Sequence, residues 1–394
     1  MEKANVASNI WKLYLIKAIR SGMFSIPVIV LFFQENGLSM QEIIFLQASF
    51  SFIVIAFEVP TGHFADTFGR KKSILIGSLL SAVGYLAYAS SHGFVGFLIG
   101  ETILGIGACF VSGADGALLY DTLQENGQAK RSIKTEGKSS AMAGFAEALT
   151  SFIGGTFLVL VSLRFTLYCD AILALLVFPV ALTLAETKRY VMVKRENALK
   201  KMWRLMKYSL HEHTEIKWLI IYSALAGAAT LSMVWFVQVY WKSVGISISM
   251  FGVLWASLQI VFALVALNAH SIEEKLGRKT SLVILILLPV IGFAALSVSH
   301  YAWAAVFIIL FYVIRGLNDP VTKTYINGLV SSEERATILS VKSLVCRIIF
   351  AFVGPLLGWV HDAYSLSWAL GLSAIIFAFS GTIALFFLHK HKAL

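Results

Sequence analysis

Runs of mostly apolar residues, each long enough to cross a bilayer, leave this 394-residue chain few folds to choose from. A helix that crosses the hydrocarbon core needs about 20 such residues. Twelve runs qualify, at 9–33, 40–63, 73–91, 94–121, 138–162, 166–185, 217–241, 249–271, 281–299, 301–326, 336–360 and 366–388. Apolar residues make up 58% of the chain and charged ones 14%, against ~45–50% and ~25% in soluble domains. All three cysteines lie inside apolar runs. They form no disulfide scaffold and show no metal-ligand spacing. No small-residue cleavage site follows the first run, so it is expected to be a retained span.

Lys and Arg sort by side. If odd-numbered spans run outward, both termini share one side with the loops near 64–72, 122–137, 186–216, 272–280 and 327–335. With Lys138 and Lys217, the first residues of their runs, counted to that side, it holds 23 of the 32 Lys and Arg, the opposite loops hold two (Arg164, Lys242), and seven lie within spans. The positive-inside rule places the loaded side, with both termini, in the cytoplasm of a cell whose cytoplasmic membrane the chain crosses many times. The net charge of +10 is therefore a topology signal, and no basic-aromatic module points to nucleic acid. The longest connection, 186–216, divides the spans six and six. Expected domains are a bundle over 1–185, a cytoplasmic linker over 186–216 and a second bundle over 217–394. In the linker, Leu199, Met202, Met206 and Leu210 recur at helical spacing among basic residues. The segment reads as an amphipathic helix on the anionic inner leaflet or as a plain connector. His211 and His213 read as solvated linker residues rather than a metal site.

The basic turn "GHFADTFGRKKSILIG" has an internal echo. Phe68–Ser73 recurs 208 residues later as Leu276–Ser281, and Asp66 maps onto Glu274 at the same offset. Asp115 and Tyr120 answer to Asp319 and Tyr325 at offsets of 204 and 205. Six spans duplicated in parallel around a cytoplasmic loop are a transporter architecture. Gly62-x-x-x-Asp66-x-x-Gly69-Arg70-Lys71 resembles the signature loop of the major facilitator superfamily, with Gly277 and Arg278 in a degenerate second copy. "EVPTGHFAD" and "GADGALLYDTL" are similar to a bacterial branch near the drug/proton antiporters. The resemblance implies an all-α membrane protein of twelve transmembrane helices in two six-helix pseudo-repeats. It also implies that Arg70 pairs with Asp121 at the end of the fourth span, and that the loop acid sits near the start of the eleventh, at Ala336. Such a latch would hold an outward-facing state; the alternative is that these residues only set topology. Gly69 is expected to permit the tight reversal and Gly62 to let another helix approach closely.

An ionisable group at mid-membrane costs at least ~2.5–3.5 kcal/mol on insertion scales, so each one is a functional candidate. The first span carries Lys12, Lys17 and Arg20, the second Glu58, the fourth Glu101, Asp115 and Asp121, and the fifth Glu147. Arg315, Asp319 and Lys323 stand on the tenth, and Lys342 and Arg347 on the eleventh. The resemblance implies that spans one, four, seven and ten line the cavity, and the charges concentrate there; Asp170, near the outer end of the sixth, is an exception. Helical phase at ~100° per residue puts Glu101 and Asp115 on one face and Asp121 on the other. Lys17 and Arg20 share a face of the first span, with Phe24 one turn on. Lys12 is expected to snorkel to the interface, and Glu147 to pair with Lys342. Arg315 and Asp319 read equally as a structural pair or as cavity groups. Where many relatives place an Arg, this chain has Glu101 before Gly105 and Gly107, so Lys17 or Arg20 is expected to supply the missing cation. "TSFIGG" puts Thr150-Ser151 where the antiporter signature has Gly-Pro.

The chain is therefore expected to be a secondary active transporter, not an enzyme, moving a small organic solute by alternating access. Acids and cations beside Phe24, Tyr120, Trp235 and Tyr325 suit an amphipathic or zwitterionic substrate. No phosphate-binding loop is present, so an ion gradient would drive it. Proton-coupled efflux is the expectation, with Asp115 as first proton carrier. A proton-coupled importer, a facilitative carrier and a non-transporting sensor are the alternatives. No cofactor and no metal are expected. The partners are the solute, the proton and the lipid bilayer, and the expected state is a monomer.

Overall fold

A computed structural model describes residues 6–128, 132–187, 204, 206–330 and 335–391. Lipid offers the backbone no hydrogen bonds, so a spanning chain must satisfy its own, and helices do so. Helices α1 (Asn9–Ser21), α2 (Ile29–Glu35), α3 (Met40–Phe68), α4 (Arg70–Ser90), α5 (Gly93–Val111), α6 (Ala114–Glu125), α7 (Ser132–Thr156) and α8 (Leu163–Leu182) form the first half. The second half has α9 (Thr214–Ser243), α10 (Phe251–Val298), α11 (Ile308–Leu329), α12 (Arg335–Ala363) and α13 (Leu366–Lys390). No strand occurs among the described residues. Leu199 and Met202 of the expected linker helix lie outside them.

Among the described residues, ten helical segments are long and apolar enough to cross a membrane. One of them, Ile248–Val298, has 51 residues, which at 1.5 Å each is about 77 Å, more than twice a ~30 Å hydrocarbon core. Its backbone leaves the helix at Gly277, with φ 76° and ψ 162°. The equivalent Gly69 precedes α4 with φ 117° and ψ 142°. A side chain is disfavoured at such positive φ, so both copies of the turn need glycine. A Cβ on Gly62, by contrast, would meet nothing within 4 Å among the described residues. The expected close helix approach there is absent from this structure, because that face of α3 is open.

Two expected continuous spans are broken. The first stops at Ser21 and resumes at Ile29, over a segment that contains Gly22 and Pro27. The fourth breaks at Gly113, where φ is +79°. Helical phase does not carry across such a break, so the angle expected between Glu101 on α5 and Asp115 on α6 does not apply. Their repeat counterparts α9 and α11 run without interruption.

The helices form two compact units. One draws on Met1–Leu38, Ser49–Lys194 and Ile248–Ser257, the other on Ser39–Ala48, Arg195–Ser247 and Leu258–Leu394. In the first unit, α4 and α5 meet along glycines: a Cβ on Gly77 would lie 2.7 Å from the Gly107 carbonyl oxygen, and one on Gly107 would lie 3.1 Å from the Gly77 oxygen. Small residues let membrane helices approach this closely. Lys12 is buried and its Nζ donates to the Thr183 carbonyl at 2.7 Å, at the C-terminus of α8. There the dipole of the helix C-terminus favours its positive charge. In the second unit, Ile216, Leu219, Ile220, Leu282, Ile314, Ile338 and Leu388 share one core.

Candidate functional site

Two charged groups of the first unit, Arg20 and Asp115, meet where the two breaks leave helix ends. Arg20 occupies the last turn of α1 and Asp115 the first turn of α6. Arg20 Nη1 lies 2.9 Å from Asp115 Oδ2. Each charge stands at the helix end whose dipole favours it. The expected partner, Glu101, is buried on α5 at 4% exposure, and no salt bridge reaches it among the described residues. The break at Gly113 is the physical reason, because it frees Asp115 to face α1 while Glu101 stays in the α5 packing.

Beside this pair is a cavity of about 270 Å³ lined by Leu13, Lys17, Asp115, Tyr120, Glu136 and Ser139, among others. Among the described residues, Lys17 Nζ makes one long contact, 3.4 Å to Ser140 Oγ. Tyr120 and Glu136 are exposed. The cavity thus holds a cation and an acid, Lys17 and Glu136, outside the Arg20–Asp115 pair. Glu136 on α7 was missing from the expected set because it precedes the apolar run. Phe24 lies in the break itself, half-buried, and Glu147 is half-buried on α7.

The second unit repeats the theme with a different cation. Lys342 Nζ of α12 lies 2.5 Å from Asp319 Oδ1 of α11, with side chains 9% and 79% exposed. Lys342 also reaches Thr322 Oγ1 at 3.5 Å. Thr322, Ser223 and Asn318 are buried together: Ser223 Oγ lies 3.0 Å from both Asn318 Oδ1 and Thr322 Oγ1. Within the second unit, Lys342 is therefore held by Asp319. Arg315 turns its guanidinium over Phe262 and Tyr312, at 5.7 and 5.9 Å, and Lys323 is exposed. The i, i+4 stripe is real as spacing, but aromatic faces claim its first cation. Trp235 is half-buried on α9.

At the basic turn, Arg70 Nη1 donates to Asp121 Oδ2 and to the Ala117 carbonyl of α6. The start of α4 is bracketed by Glu186, which accepts the Arg70 N–H at 2.6 Å and the Lys71 N–H at 3.0 Å. Asp66 is exposed at the end of α3. In the second copy the residue 204 beyond Asp121 is Tyr325. Arg278 lies 4.7 Å over the Tyr325 ring, and its ion-pair partner is Glu215 of α9 at 2.9 Å. Tyr325 Oη donates to Glu273 at 2.6 Å, while Glu274 meets His270 at 3.3 Å. The copy keeps the arginine but pairs it with an acid of α9 and lays it over an aromatic face of α11.

The sequence pattern of the Major Facilitator Superfamily matches residues 13–318 and again 218–393. The chain belongs to that superfamily. The two overlapping matches cover nearly all of it and make it a multi-pass membrane transporter, not an enzyme. The chain is 23% identical over 378 residues to the tetracycline resistance protein, class H, of Pasteurella multocida, covering 92% of this chain and 90% of that one. It is 37% identical over 89 residues to an uncharacterized transporter of Buchnera aphidicola subsp. Schizaphis graminum. That match spans under a quarter of either protein, 23% of this chain and 22% of the relative. The crystal structure of the nucleoside transporter NupG superposes with a TM-score of 0.74 at 15% identity over 99% of both chains. At that identity the likeness is one of fold.

Within this superfamily fold, three carboxylates act as brackets that the sequence reading did not assign. Glu186 holds the N–H groups of Arg70 and Lys71. Asp362 holds those of Met40 and Gln41 at 3.1 and 2.7 Å. Asp170 holds those of Phe24 and Ser25 at 2.6 and 3.1 Å. Each satisfies two donors at the start of a helix or turn, where the dipole favours negative charge. A lone acid at the end of an apolar run is the only sequence signal they leave.

Proposed function

We propose that this chain is a proton-coupled exporter of small amphipathic or zwitterionic organic solutes in the cytoplasmic membrane, with both termini cytoplasmic. It has twelve crossings: the ten long segments, with Ile248–Val298 counted twice at Gly277 and the broken first span added. Its domains are the bundles 1–185 and 217–394, joined by the linker 186–216, and it works as a monomer. One observation carries the reading. Asp115 and Asp319, related by the internal repeat, each hold a cation from a neighbouring helix, and Asp115 opens on a cavity where Lys17 and Glu136 offer opposite charges. A solute with an acidic and a basic group pairs with Lys17 and Glu136, while Tyr120 supplies an aromatic surface. Separation of Arg20 from Asp115 is the step we assign to proton coupling. Efflux is favoured by likeness to a tetracycline resistance protein along most of the chain. The Arg70–Asp121 pair and the Glu186 bracket then hold the basic turn during the cycle.

Everted membrane vesicles test this with tetracycline and a panel of zwitterionic compounds. Uptake should collapse on addition of a protonophore. Asp115→Asn should lose gradient-driven uptake and keep solute exchange. Uptake indifferent to the protonophore would rule out proton drive, and accumulation in right-side-out vesicles would reverse the direction.

A further inference from the structure

The first span is unwound over 22–28, and side chains from two other helices take up the peptide groups left free. Thr150 Oγ1 of α7 accepts the Met23 N–H at 2.9 Å. Asp170 of α8, 2% exposed, accepts the Phe24 N–H through Oδ1 at 2.6 Å and the Ser25 N–H through Oδ2 at 3.1 Å. One turn beyond Thr150 on α7, the Phe24 carbonyl occupies the space that a side chain at Gly154 would need. Irregular backbone at membrane depth persists only where protein satisfies it. The break is therefore built: one carboxylate, one hydroxyl and one missing side chain are shaped to it. Thr150 stands where the antiporter signature has glycine, and its hydroxyl is an acceptor that glycine cannot supply.

What the break positions is the end of α1. Arg20 is in its last turn and Gly22 follows, so the place where the helix stops determines where the guanidinium points. That guanidinium meets Asp115 in the first turn of α6, just past the second break at Gly113. Three unassigned acceptor contacts thus stand behind the ion pair at the cavity.

We infer that Asp170 is a positioning residue of the transport cycle. Its carboxylate, with Thr150, holds the first span open at 22–28 and so sets the half-helix that carries Lys17 and Arg20 against Asp115. The inference rests on reading Lys17 and Arg20 as solute-facing groups. The experiment below reads backbone and distance rather than transport, so the two readings fail separately.

Purified full-length protein in lipid nanodiscs would be compared as wild type, Asp170→Asn, Asp170→Ala and Thr150→Val. Hydrogen exchange of the peptide covering 22–28 should accelerate about tenfold in Asp170→Ala, the scale of a lost charged hydrogen bond, and less in Asp170→Asn, which keeps one acceptor oxygen. Spin labels at Trp11→Cys and Glu35→Cys, on the two half-helices, should give a broader distance distribution in the same order. Native cysteines would be replaced by serine. A control pair at Leu86→Cys and Leu175→Cys, on α4 and α8, should not change. Should Asp170→Ala fail to fold, Asp170→Asn and Thr150→Val carry the same two readouts. Unchanged exchange at 22–28 in every variant would overturn the inference. Equal broadening of both label pairs would also overturn it, since the carboxylate would then be general packing.

Discussion

Among the described residues, Arg20 pairs with Asp115 and not with Glu101. The Arg20 and Asp115 side chains are 29% and 19% exposed, so their pair falls between the surface and buried cases and is worth about 1–3 kcal/mol. Arg20→Gln and Asp115→Asn should each lower thermal stability in detergent. The double variant should recover much of the loss, and a double-mutant cycle should give a favourable coupling. The cycle between Arg20→Gln and Glu101→Gln should be additive. Coupling to Glu101 and none to Asp115 would mean that the guanidinium has been assigned to the wrong acid. Lys17, Arg20, Glu101 and Asp115 were visible as letters in apolar runs, but their partners were not. Partnership here depends on where α1 and α6 begin and end, and those ends are made by contacts far away in sequence.

Helices themselves follow the apolar runs closely, because length and hydropathy suffice to specify a spanning segment. Their interruptions do not. The break at 22–28 needs Thr150 and Asp170, residues 127 and 146 positions from the peptide groups they hold. Glycines along α7 test this at the level of one helix. Gly154→Ala would drive a methyl group into the Phe24 carbonyl, whereas Gly144→Ala meets nothing within 4 Å among the described residues. The first should lose stability by a kilocalorie or more, on the order of an overpacked core. The second should be neutral or gain up to about 1 kcal/mol from helix propensity. Melting of both variants in detergent separates them, and equal effects would remove the carbonyl contact from the account. Gly113→Ala has open space but a φ of +79°, so its expected loss of roughly 1 kcal/mol is strain in the backbone alone.

Across the whole molecule, the basic turn and its echo join sequence to mechanism. Arg70→Ala should abolish transport while the protein stays in the membrane, because the Asp121 carboxylate would lose its counter-charge at the end of α6. Glu186→Ala should weaken transport less, as a lost bracket on two N–H groups costs about 1–2 kcal/mol and leaves the ion pair intact. Immunoblots of membranes beside vesicle uptake would check both, and full activity in Arg70→Ala would reduce the turn to a topology signal. By itself, the sequence determined the helical membrane class, the internal duplication, the superfamily and the glycines of both turns. These follow from composition, period and local backbone geometry, which a linear chain carries in full. Only the tertiary structure decided that two cavity helices are broken, that Asp115 takes Arg20 while Asp319 takes Lys342, and that Asp170, Glu186 and Asp362 are brackets. An unpaired peptide group or charge inside the membrane must find a partner wherever folding brings one within about 3 Å, and sequence distance says nothing about where that is.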